Sequence, residues 1–291
     1  MQARGVALSV AAFPALEPLF IATGRRAARR SHLLGGLYWH AHTHLVEKLR
    51  RSGRRYRRVD VGGVPLDVDI TDRTGRLHYF HDEPYEPAVT RVIADALRAG
   101  DVFVDIGANI GFFSVFAARL VGKNGRVFAF EPHPGAAEEL RTLAARNGVA
   151  ETVALVPLAL SNRDGDAALH LDQEFTSYST LDPSGSPMHA SASFNRSIVI
   201  RTTTFDRWLA DHPDVARRIR CIKIDVEGAE AMVLAGMTHA LQQLDAPIVC
   251  ETSIGSAADA ALIAAGFTRR QIEPVPYGNH LYVRESASPS R

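Results

Sequence analysis

From Glu86 onward the chain alternates regularly between segments with helical spacing and short, continuous apolar runs, and this alternation most constrains the fold. Runs such as VFVDI, RVFAFE and CIKID are rich in β-branched and aromatic residues. Continuous apolar strands joined by helices are typical of a parallel sheet with helices on both faces. Helices are predicted at 87–98, 110–120, 135–146, 204–210, 228–237 and 256–265. The fold class is therefore α/β.

Two other parts of the chain depart from this alternation. Residues 1–58 have weak helical periodicity, and residues 59–82 alternate apolar and polar positions around Gly62 and Gly63, as an antiparallel ribbon does. We expect 1–82 to form an arm and ribbon for substrate or homodimer contacts, and 83–291 to form the main domain. Within that domain, the Ser-, Gly- and Pro-rich stretch 172–197 is typical of a lid loop.

The charge is concentrated in the arm. The net charge of the chain is only +1, yet residues 24–58 hold eleven Lys or Arg and a single acid, Glu47. Binding to nucleic acid is not favoured, because this segment offers few aromatic side chains for stacking, namely Tyr38, Trp39 and Tyr56. A solvated arm, a dimer contact, or a dock for an anionic carrier or a membrane surface all remain open.

Histidines and cysteines add two expectations. His40, His42 and His44 alternate in WHAHTH without a further ligand nearby, so packed or solvated side chains are favoured over a metal site. Cys221 and Cys250 lie in apolar runs, and we expect buried thiols in a reducing, cytoplasmic compartment. Prolines and an acid interrupt the apolar first 24 residues, so neither a signal peptide nor a transmembrane segment is predicted.

Ligands of a doubly wound sheet lie beyond the carboxyl ends of its strands. The turn after VFVDI offers Gly107 and Gly111 where a dinucleotide site needs three glycines, and Asp105 stands directly before it. A carboxylate there would repel a pyrophosphate but suit a sulfonium or an ammonium group. Glu131, at the end of RVFAFE, is placed to accept hydrogen bonds from ribose hydroxyls. This pattern indicates S-adenosylmethionine, although a glycine-containing turn followed by an acidic strand end also occurs in many other α/β proteins.

A third acidic strand end lies in IKIDVEGAE. Asp225 ends the strand over the expected pocket, and Glu227 and Glu230 follow it. The two glutamates could instead stabilise the N-terminus of the next helix through its dipole, a role that suits Glu230 best. Asp225 is therefore the strongest functional candidate of the three.

These motifs together resemble the FkbM-type methyltransferases over roughly residues 83–284. The resemblance rests on YEPAVTRVIADALRAGDVFVDIGANIGFFSVFAA, FAFEPHP, LALSNRDG, TTTFDRWL, IKIDVEGAEAMVLAGM and PIVCETS, in that order. It implies a Rossmann-like, seven-stranded sheet with six parallel strands and the last one antiparallel. It also implies transfer of a methyl group from S-adenosylmethionine to a hydroxyl of a sugar or natural product, in secondary metabolism.

The resemblance also assigns cofactor contacts, position by position. It implies that the methionine end is lined by Asp105, Gly107, Asn109 and Gly111. It further implies that Glu131 binds the ribose, that Ser161 and Asn162 flank the adenine, and that Glu86 and Thr90 reach the amino-acid portion. Asp225 is also a candidate cofactor contact, because Asp105, Glu131 and Asp225 together would line a crevice suited to a cationic nucleoside.

An alcohol is a weak nucleophile, so the reaction calls for a general base. Asp225 is the first candidate, Glu227 the second and His189, in the lid, a distant third. Asp225 and Glu251 could instead hold Mg²⁺, but the sequence shows no tight cluster of oxygen ligands, so a metal is less favoured.

Three alternatives differ in substrate or activity. The chain could be a non-catalytic homologue that keeps the cofactor pocket, or it could act on a peptide or a carrier-bound substrate. A nucleic-acid methyltransferase is not favoured, because an N/D-P-P-Y-type motif is absent from the sequence.

Overall fold

The structure, a computed structural model, describes residues 16–172, 179–185, 194–273 and 277–284. The chain forms two compact units, Met1–Glu86 and Pro87–Arg291.

The first unit contains a helical hairpin and a β-hairpin. Its elements are α1 (Glu17–Ala28), α2 (His32–Arg51), β1 (Tyr56–Val61), β2 (Val64–Asp69), α3 (Arg73–Arg76) and a π-helical turn (Leu77–His81). The two strands pair antiparallel around the Gly62–Gly63 turn, as the alternating pattern predicts. A small core, which includes Ile21, Tyr38, Leu45, Leu49 and Phe80, holds the unit together.

The predicted ribbon is wrong for residues 73–81, which are helical. The side chain of Asp72 accepts hydrogen bonds from the backbone N–H groups of Thr74 and Gly75, and this cap starts a helix. A Cβ at Gly75 would overlap the backbone of Asp69, so the glycine allows this turn to lie directly against β2. The cap and the close approach both outweigh the alternating pattern.

The second unit is built on a seven-stranded sheet. Its elements in chain order are α4 (Pro87–Ala96), β3 (Val102–Ile106), α5 (Phe112–Val121), β4 (Arg126–Phe130), α6 (Pro134–Arg146), β5 (Val153–Val156), β6 (Ala159–Leu160), β7 (Gly165–Leu171), β8 (Arg196–Thr203), α7 (Phe205–Ala210), α8 (Pro213–Ala216), β9 (Ile219–Ile224), α9 (Glu230–Ala235), α10 (Thr238–Gln243), β10 (Ile248–Ser253), α11 (Ala257–Ala264), β11 (Thr268–Gln271) and β12 (Tyr277–Val283).

The strand order of this sheet is β11-β12-β10-β9-β3-β4-β5. Every neighbouring pair from β10 to β5 is parallel, whereas β12 pairs antiparallel with both β10 and β11. Six strands therefore point one way and the last strand points the other way, which confirms the predicted Rossmann-like α/β fold. A second, three-stranded sheet has the order β6-β8-β7.

The apolar runs form the centre of the core. Val104 and Ile106 of β3 and Ile222 and Ile224 of β9 are fully buried. Cys221 and Cys250 are fully buried free thiols on the neighbouring strands β9 and β10, as expected. Strands β3, β4 and β5 follow one another towards one edge of the sheet, whereas the chain returns to β9 on the other side of β3. The order of strands thus reverses between β3 and β9, and ligands of such sheets bind at this point.

Candidate active site

Gly107 opens the turn that follows β3. Its φ of +80° lies in the left-handed region, and a Cβ on this residue would overlap the carbonyl group of Asp225. The turns after β3 and β9 approach so closely because this residue has no side chain. Gly107 therefore brings two strand ends together at the point where the strand order reverses.

The backbone N–H groups of this turn already have acceptors. Those of Gly107 and Ala108 both donate to the carbonyl of Phe130, and that of Gly111 donates to Ala108. The N–H of Asn109 donates to the carboxylate of Glu131. A phosphate-binding loop instead points free N–H groups at its ligand. These four groups are thus not available to a pyrophosphate.

The second glycine of the motif serves the packing of helices. Gly111 has a φ of +89° directly before α5, and a Cβ there would lie 2.5 Å from Cγ of Leu140 in α6. A larger residue would push the two helices apart. Gly111 therefore affects the site indirectly, through the packing of α5 against α6.

Asp105 lies beneath the turn and is buried. One carboxylate oxygen accepts a hydrogen bond from the Ser114 hydroxyl at 2.6 Å, whereas the other, Oδ1, has no partner among the residues that the structure describes. Burial raises the pKa of Asp105, and the nearby Lys223 ammonium opposes this rise. A buried carboxylate oxygen without a partner is uncommon, and an ordered water is one source of the missing donor.

Glu131 follows β4 and lines the same crevice. Its Oε1 accepts from the N–H of His133 at 2.7 Å and its Oε2 from that of Asn109 at 2.8 Å. Burial raises the pKa of Glu131 to about 7, although both backbone hydrogen bonds lower it. The hydrogen bonds hold the carboxylate in one orientation and leave further lone pairs for a ligand.

Three carboxylates converge beyond β9 and β10. Oxygen atoms of Asp225, Glu227 and Glu251 lie within 4.8 Å of one another, and Lys223 Nζ lies 2.7 Å from Asp225 Oδ2. Burial raises the pKa of Asp225, but the Lys223 ammonium and hydrogen bonds from Glu251 and Lys223 outweigh this effect and hold it below its usual value.

This cluster of oxygen ligands is tighter than the sequence pattern indicates. Glu251 follows Cys250, which pairs with Ile224 just before Asp225, so the parallel register places the two acids side by side. Glu227 adopts a φ of +53°, which turns the chain back towards the strand ends. The group includes the two candidate bases and could hold a divalent cation, although the lysine already supplies one positive charge.

A pocket lies at the carboxyl ends of β3, β4 and β9, and its open volume, part of which is bulk solvent, is about 590 Å³. Five of the predicted site residues line it: Gly107, Asn109, Glu131, Asp225 and Glu227. Its remaining walls are mostly apolar and include Ile106, Phe130, Leu158, Leu160, Leu169 and Val226. A crevice with apolar walls and a few carboxylates at one side suits a ligand with a flat apolar part and a positively charged part.

Other predicted residues do not line this pocket. Asp105 and Gly111 lie behind its wall, as described above. Ser161 is 2% exposed, and its N–H donates to the carbonyl of Thr203 in the three-stranded sheet. Asn162 is the next residue and does not line the pocket either. Thr90 is buried within α4, whereas Glu86 belongs to the first unit, with a φ of +42°. His189 lies outside the described residues.

Ser179, Thr180 and Leu181 also line the pocket, and they have no counterpart among the predicted site residues. Backbone hydrogen bonds between His170 and Thr180, at 2.8 and 3.0 Å, attach this segment to the end of β7. Ser179 Oγ is buried and has no hydrogen-bond partner among the described residues. A serine in a Ser-rich loop carries no periodic signal, so only the three-dimensional contacts reveal this group.

Comparison with known proteins supports the assignment of the family. A family model described as the methyltransferase FkbM domain matches residues 105–263. The chain is 32% identical over 168 residues to hexuronic acid methyltransferase AglP of Haloferax volcanii. This alignment covers 56% of this chain and 61% of that protein. The chain is also 32% identical over 172 residues to 31-O-demethyl-FK506 methyltransferase FkbM of Streptomyces tacrolimicus, and this alignment covers 50% of this chain and 62% of that protein. The chain thus spans about three fifths of the length of these two relatives.

Among solved structures, a methyltransferase FkbM from Methylobacillus flagellatus KT matches with 15% identity and a TM-score of 0.44, over 94% of this chain and 60% of that chain. A similarity this distant adds nothing to the description of the site. The family model, in contrast, covers more than half of the chain and includes Asp105, Glu131 and Asp225. The chain therefore belongs to the methyltransferase FkbM domain family.

Proposed function

We propose that the protein is an S-adenosylmethionine-dependent O-methyltransferase that transfers a methyl group to a hydroxyl of a small molecule. The observation that carries this proposal is the character of the pocket at the strand reversal. Carboxylates line it, while four N–H groups of the glycine turn donate to acceptors within the protein. Such a pocket favours a cationic nucleoside over a nucleotide.

The residues present fit this cofactor. Glu131 has free lone pairs for two ribose hydroxyls, and the apolar walls near Phe130 and Leu158 can hold an adenine ring. Asp105 does not line the pocket, but its negative charge behind the wall favours a cationic ligand. When bound, the cofactor supplies a methyl group activated by the positive charge on sulfur.

The residues after β9 provide the acid–base chemistry in this proposal. Methyl transfer to an alcohol requires alignment of the acceptor oxygen and removal of its proton. The Asp225 carboxylate, kept ionised by Lys223, accepts that proton. Glu227 is the second candidate, because its carboxylate belongs to the same cluster.

The names of the relatives suggest two kinds of acceptor. One relative is named for a hexuronic acid, and the other for an O-demethyl form of FK506. We therefore propose a sugar or a natural-product hydroxyl as the methyl acceptor, in secondary metabolism. Among the helices within the described residues, none has the length and apolar character needed to cross a bilayer.

The proposal is tested in two steps with the full chain. Isothermal titration calorimetry should detect binding of S-adenosylmethionine and S-adenosylhomocysteine, whereas NAD should not bind. Formation of S-adenosylhomocysteine is then measured with uronic acid glycosides, with polyketide alcohols, and with matched acceptors in which the hydroxyl is replaced by hydrogen. The proposal is overturned if neither nucleoside binds, or if methylation persists on acceptors that lack the hydroxyl.

A further inference from the structure

Exposed apolar side chains are concentrated on the helical hairpin of the first unit. Nine large apolar side chains are exposed in the described part of the chain, and six of them lie between residues 16 and 39. These six are Leu16, Leu19, Leu33, Leu34, Leu37 and Trp39. Leu33 and Leu19 are 75% and 63% exposed. Such a concentration within one short segment marks an interaction surface.

The hairpin has an inner and an outer face. Ile21 of α1 and Tyr38 and Leu45 of α2 point into the core of the unit. Leu33 and Leu37 lie one turn apart, roughly 100–140° around α2 from Tyr38, and remain exposed. The core of the first unit therefore does not account for these leucines.

Ion pairs divide the basic residues of this region into two groups. Six of the eleven Lys and Arg residues of segment 24–58 pair with acids of the same unit: Arg25 with Asp82, Arg50 and Arg51 with Glu47, Arg55 with Asp69, Arg57 with Glu17, and Arg58 with Asp67. In contrast, Arg26, Arg29 and Arg30 are exposed, and their side chains form no ion pair within the described ranges. These three unpaired arginines surround the turn between α1 and α2, next to the exposed leucines.

The sequence around these arginines lacks acids. Residues 18–46 contain neither Asp nor Glu. At the two ends of that stretch, Glu17 is buried against Arg57 and Glu47 pairs with Arg50 and Arg51. The segment that holds the three arginines and the exposed leucines thus has no acid of its own, and the exposed Asp82 pairs with Arg25.

We propose that the outer face of the α1–α2 hairpin docks onto an anionic lipid surface. The arginines would contact lipid headgroups, and Leu33 and Leu37 would enter the interface beside them. This inference concerns the first unit and does not depend on the proposed methyl transfer.

A second copy of the chain fits this surface less well. In a two-fold dimer the same patch faces itself, so the three arginines of each copy would meet those of the other copy without an acid between them. An anionic lipid surface instead complements the charge and accepts the leucines at the same time. The oligomeric state of the chain therefore belongs to the test.

The test is co-sedimentation of the full chain with vesicles of phosphatidylcholine alone and of phosphatidylcholine with phosphatidylglycerol. The protein should pellet with the anionic vesicles and remain in solution with the neutral ones. Each arginine near an anionic surface strengthens binding by about fivefold, so the variant Arg26→Gln/Arg29→Gln/Arg30→Gln should bind at least about tenfold more weakly. Leu33→Gln/Leu37→Gln should lose binding to a similar extent.

Two control variants separate this surface from general effects of charge and exposure. Lys48→Gln/Arg54→Gln removes two exposed cations away from the hairpin turn, and Val199→Gln removes an apolar side chain that is 77% exposed in β8. Both should pellet like the unchanged protein. Light scattering after gel filtration follows the oligomeric state. The proposal is overturned if the protein does not pellet with anionic vesicles, or if the hairpin variants bind them as the unchanged protein does. It is also overturned if the leucine variant dissociates a dimer and vesicle binding is unchanged.

Discussion

Lys223 and Asp225 form a buried ion pair, with 2.7 Å between Nζ and Oδ2. The side chains are only 3% and 18% exposed, so each charge depends on the other for compensation. The ammonium also lies 5.1 Å from the centre of the Phe113 ring. These contacts hold the Asp225 carboxylate in one place and keep it ionised at neutral pH.

Replacing Asp225 by Asn should separate turnover from cofactor binding. The amide oxygen can still accept a hydrogen bond from Lys223, but it cannot take up the proton of an acceptor hydroxyl. We expect kcat to fall by roughly 10²- to 10⁴-fold. Calorimetry should give a Kd for S-adenosylhomocysteine within about threefold of that of the unchanged protein. Asp214→Asn is the matched control, since Asp214 is exposed in α8; full turnover in Asp225→Asn would remove Asp225 from the mechanism.

Removal of divalent cations should leave turnover intact. Asp225, Glu227 and Glu251 could hold an ion, but Lys223 already supplies a positive charge at hydrogen-bond distance from Asp225. We therefore expect kcat to change less than about twofold after dialysis against EDTA. The measurement is repeated with added Mg²⁺; loss of turnover in EDTA and its recovery with Mg²⁺ would show instead that the three carboxylates bind the metal.

Gly107→Ala should damage both stability and cofactor binding, because the added methyl group overlaps the Asp225 carbonyl. Gly100→Ala is the matched control, since Gly100 also has a positive φ, +93°, but a Cβ added there would meet no atom within 4 Å. Both variants incur the strain of a left-handed backbone, about 1–2 kcal/mol. Urea denaturation should show a larger loss for Gly107→Ala, and calorimetry should show weaker binding of S-adenosylhomocysteine only in that variant. Equal losses of stability would indicate that the close approach has no effect.

The parallel sheet and three of the acidic strand ends follow from local patterns. Continuous apolar runs such as those ending at Asp105 and Asp225 are signals that a sequence displays directly, and parallel strands place their carboxyl ends at one edge of the sheet. For that reason the sequence predicts Glu131 and Asp225 in one crevice, and the structure places both in the lining of one pocket.

Other features depend on backbone conformations and long-range contacts that no periodicity reveals. Glu227 joins the carboxylate cluster through a left-handed φ at a residue other than glycine. Ser179 reaches the pocket through the bridge between His170 and Thr180. The capping of residues 73–76 by Asp72 likewise competes with an alternating pattern that favours a strand. Each of these depends on a single contact and not on a repeated pattern.

Ser179→Ala should weaken cofactor binding. The buried Ser179 hydroxyl lines the pocket and has no partner among the described residues, so a ligand is the natural partner for it. Loss of one such hydrogen bond corresponds to roughly 3- to 10-fold in Kd for S-adenosylhomocysteine, measured by calorimetry. Ser184→Ala is the control, because the Ser184 hydroxyl is exposed and donates to Asp182. Identical affinities in the two variants would show that Ser179 does not contact the ligand.

Glu230→Gln should make the protein less sensitive to pH. Glu230 is 4% exposed, and its carboxylate accepts hydrogen bonds from the N–H groups of Val226 and Gly228. Burial raises the pKa of Glu230 to about 7, whereas a glutamate in the unfolded chain titrates at about 4.3. The folded state therefore holds a proton that the unfolded state releases, so this group's contribution to stability is present at low pH and is lost as the pH rises towards 7.

A glutamine keeps the acceptor oxygen but never ionises. Between pH 4.5 and pH 8, the free energy of unfolding of Glu230→Gln should rise by about 2–4 kcal/mol relative to that of the unchanged protein. This range follows from roughly 1.4 kcal/mol for each unit by which folding raises the pKa of Glu230. Urea denaturation at both pH values measures this difference. Glu151→Gln, at an exposed position, should show no such change. If the stabilities of Glu230→Gln and the unchanged protein run parallel over this range, Glu230 is already ionised in the fold at the lower pH.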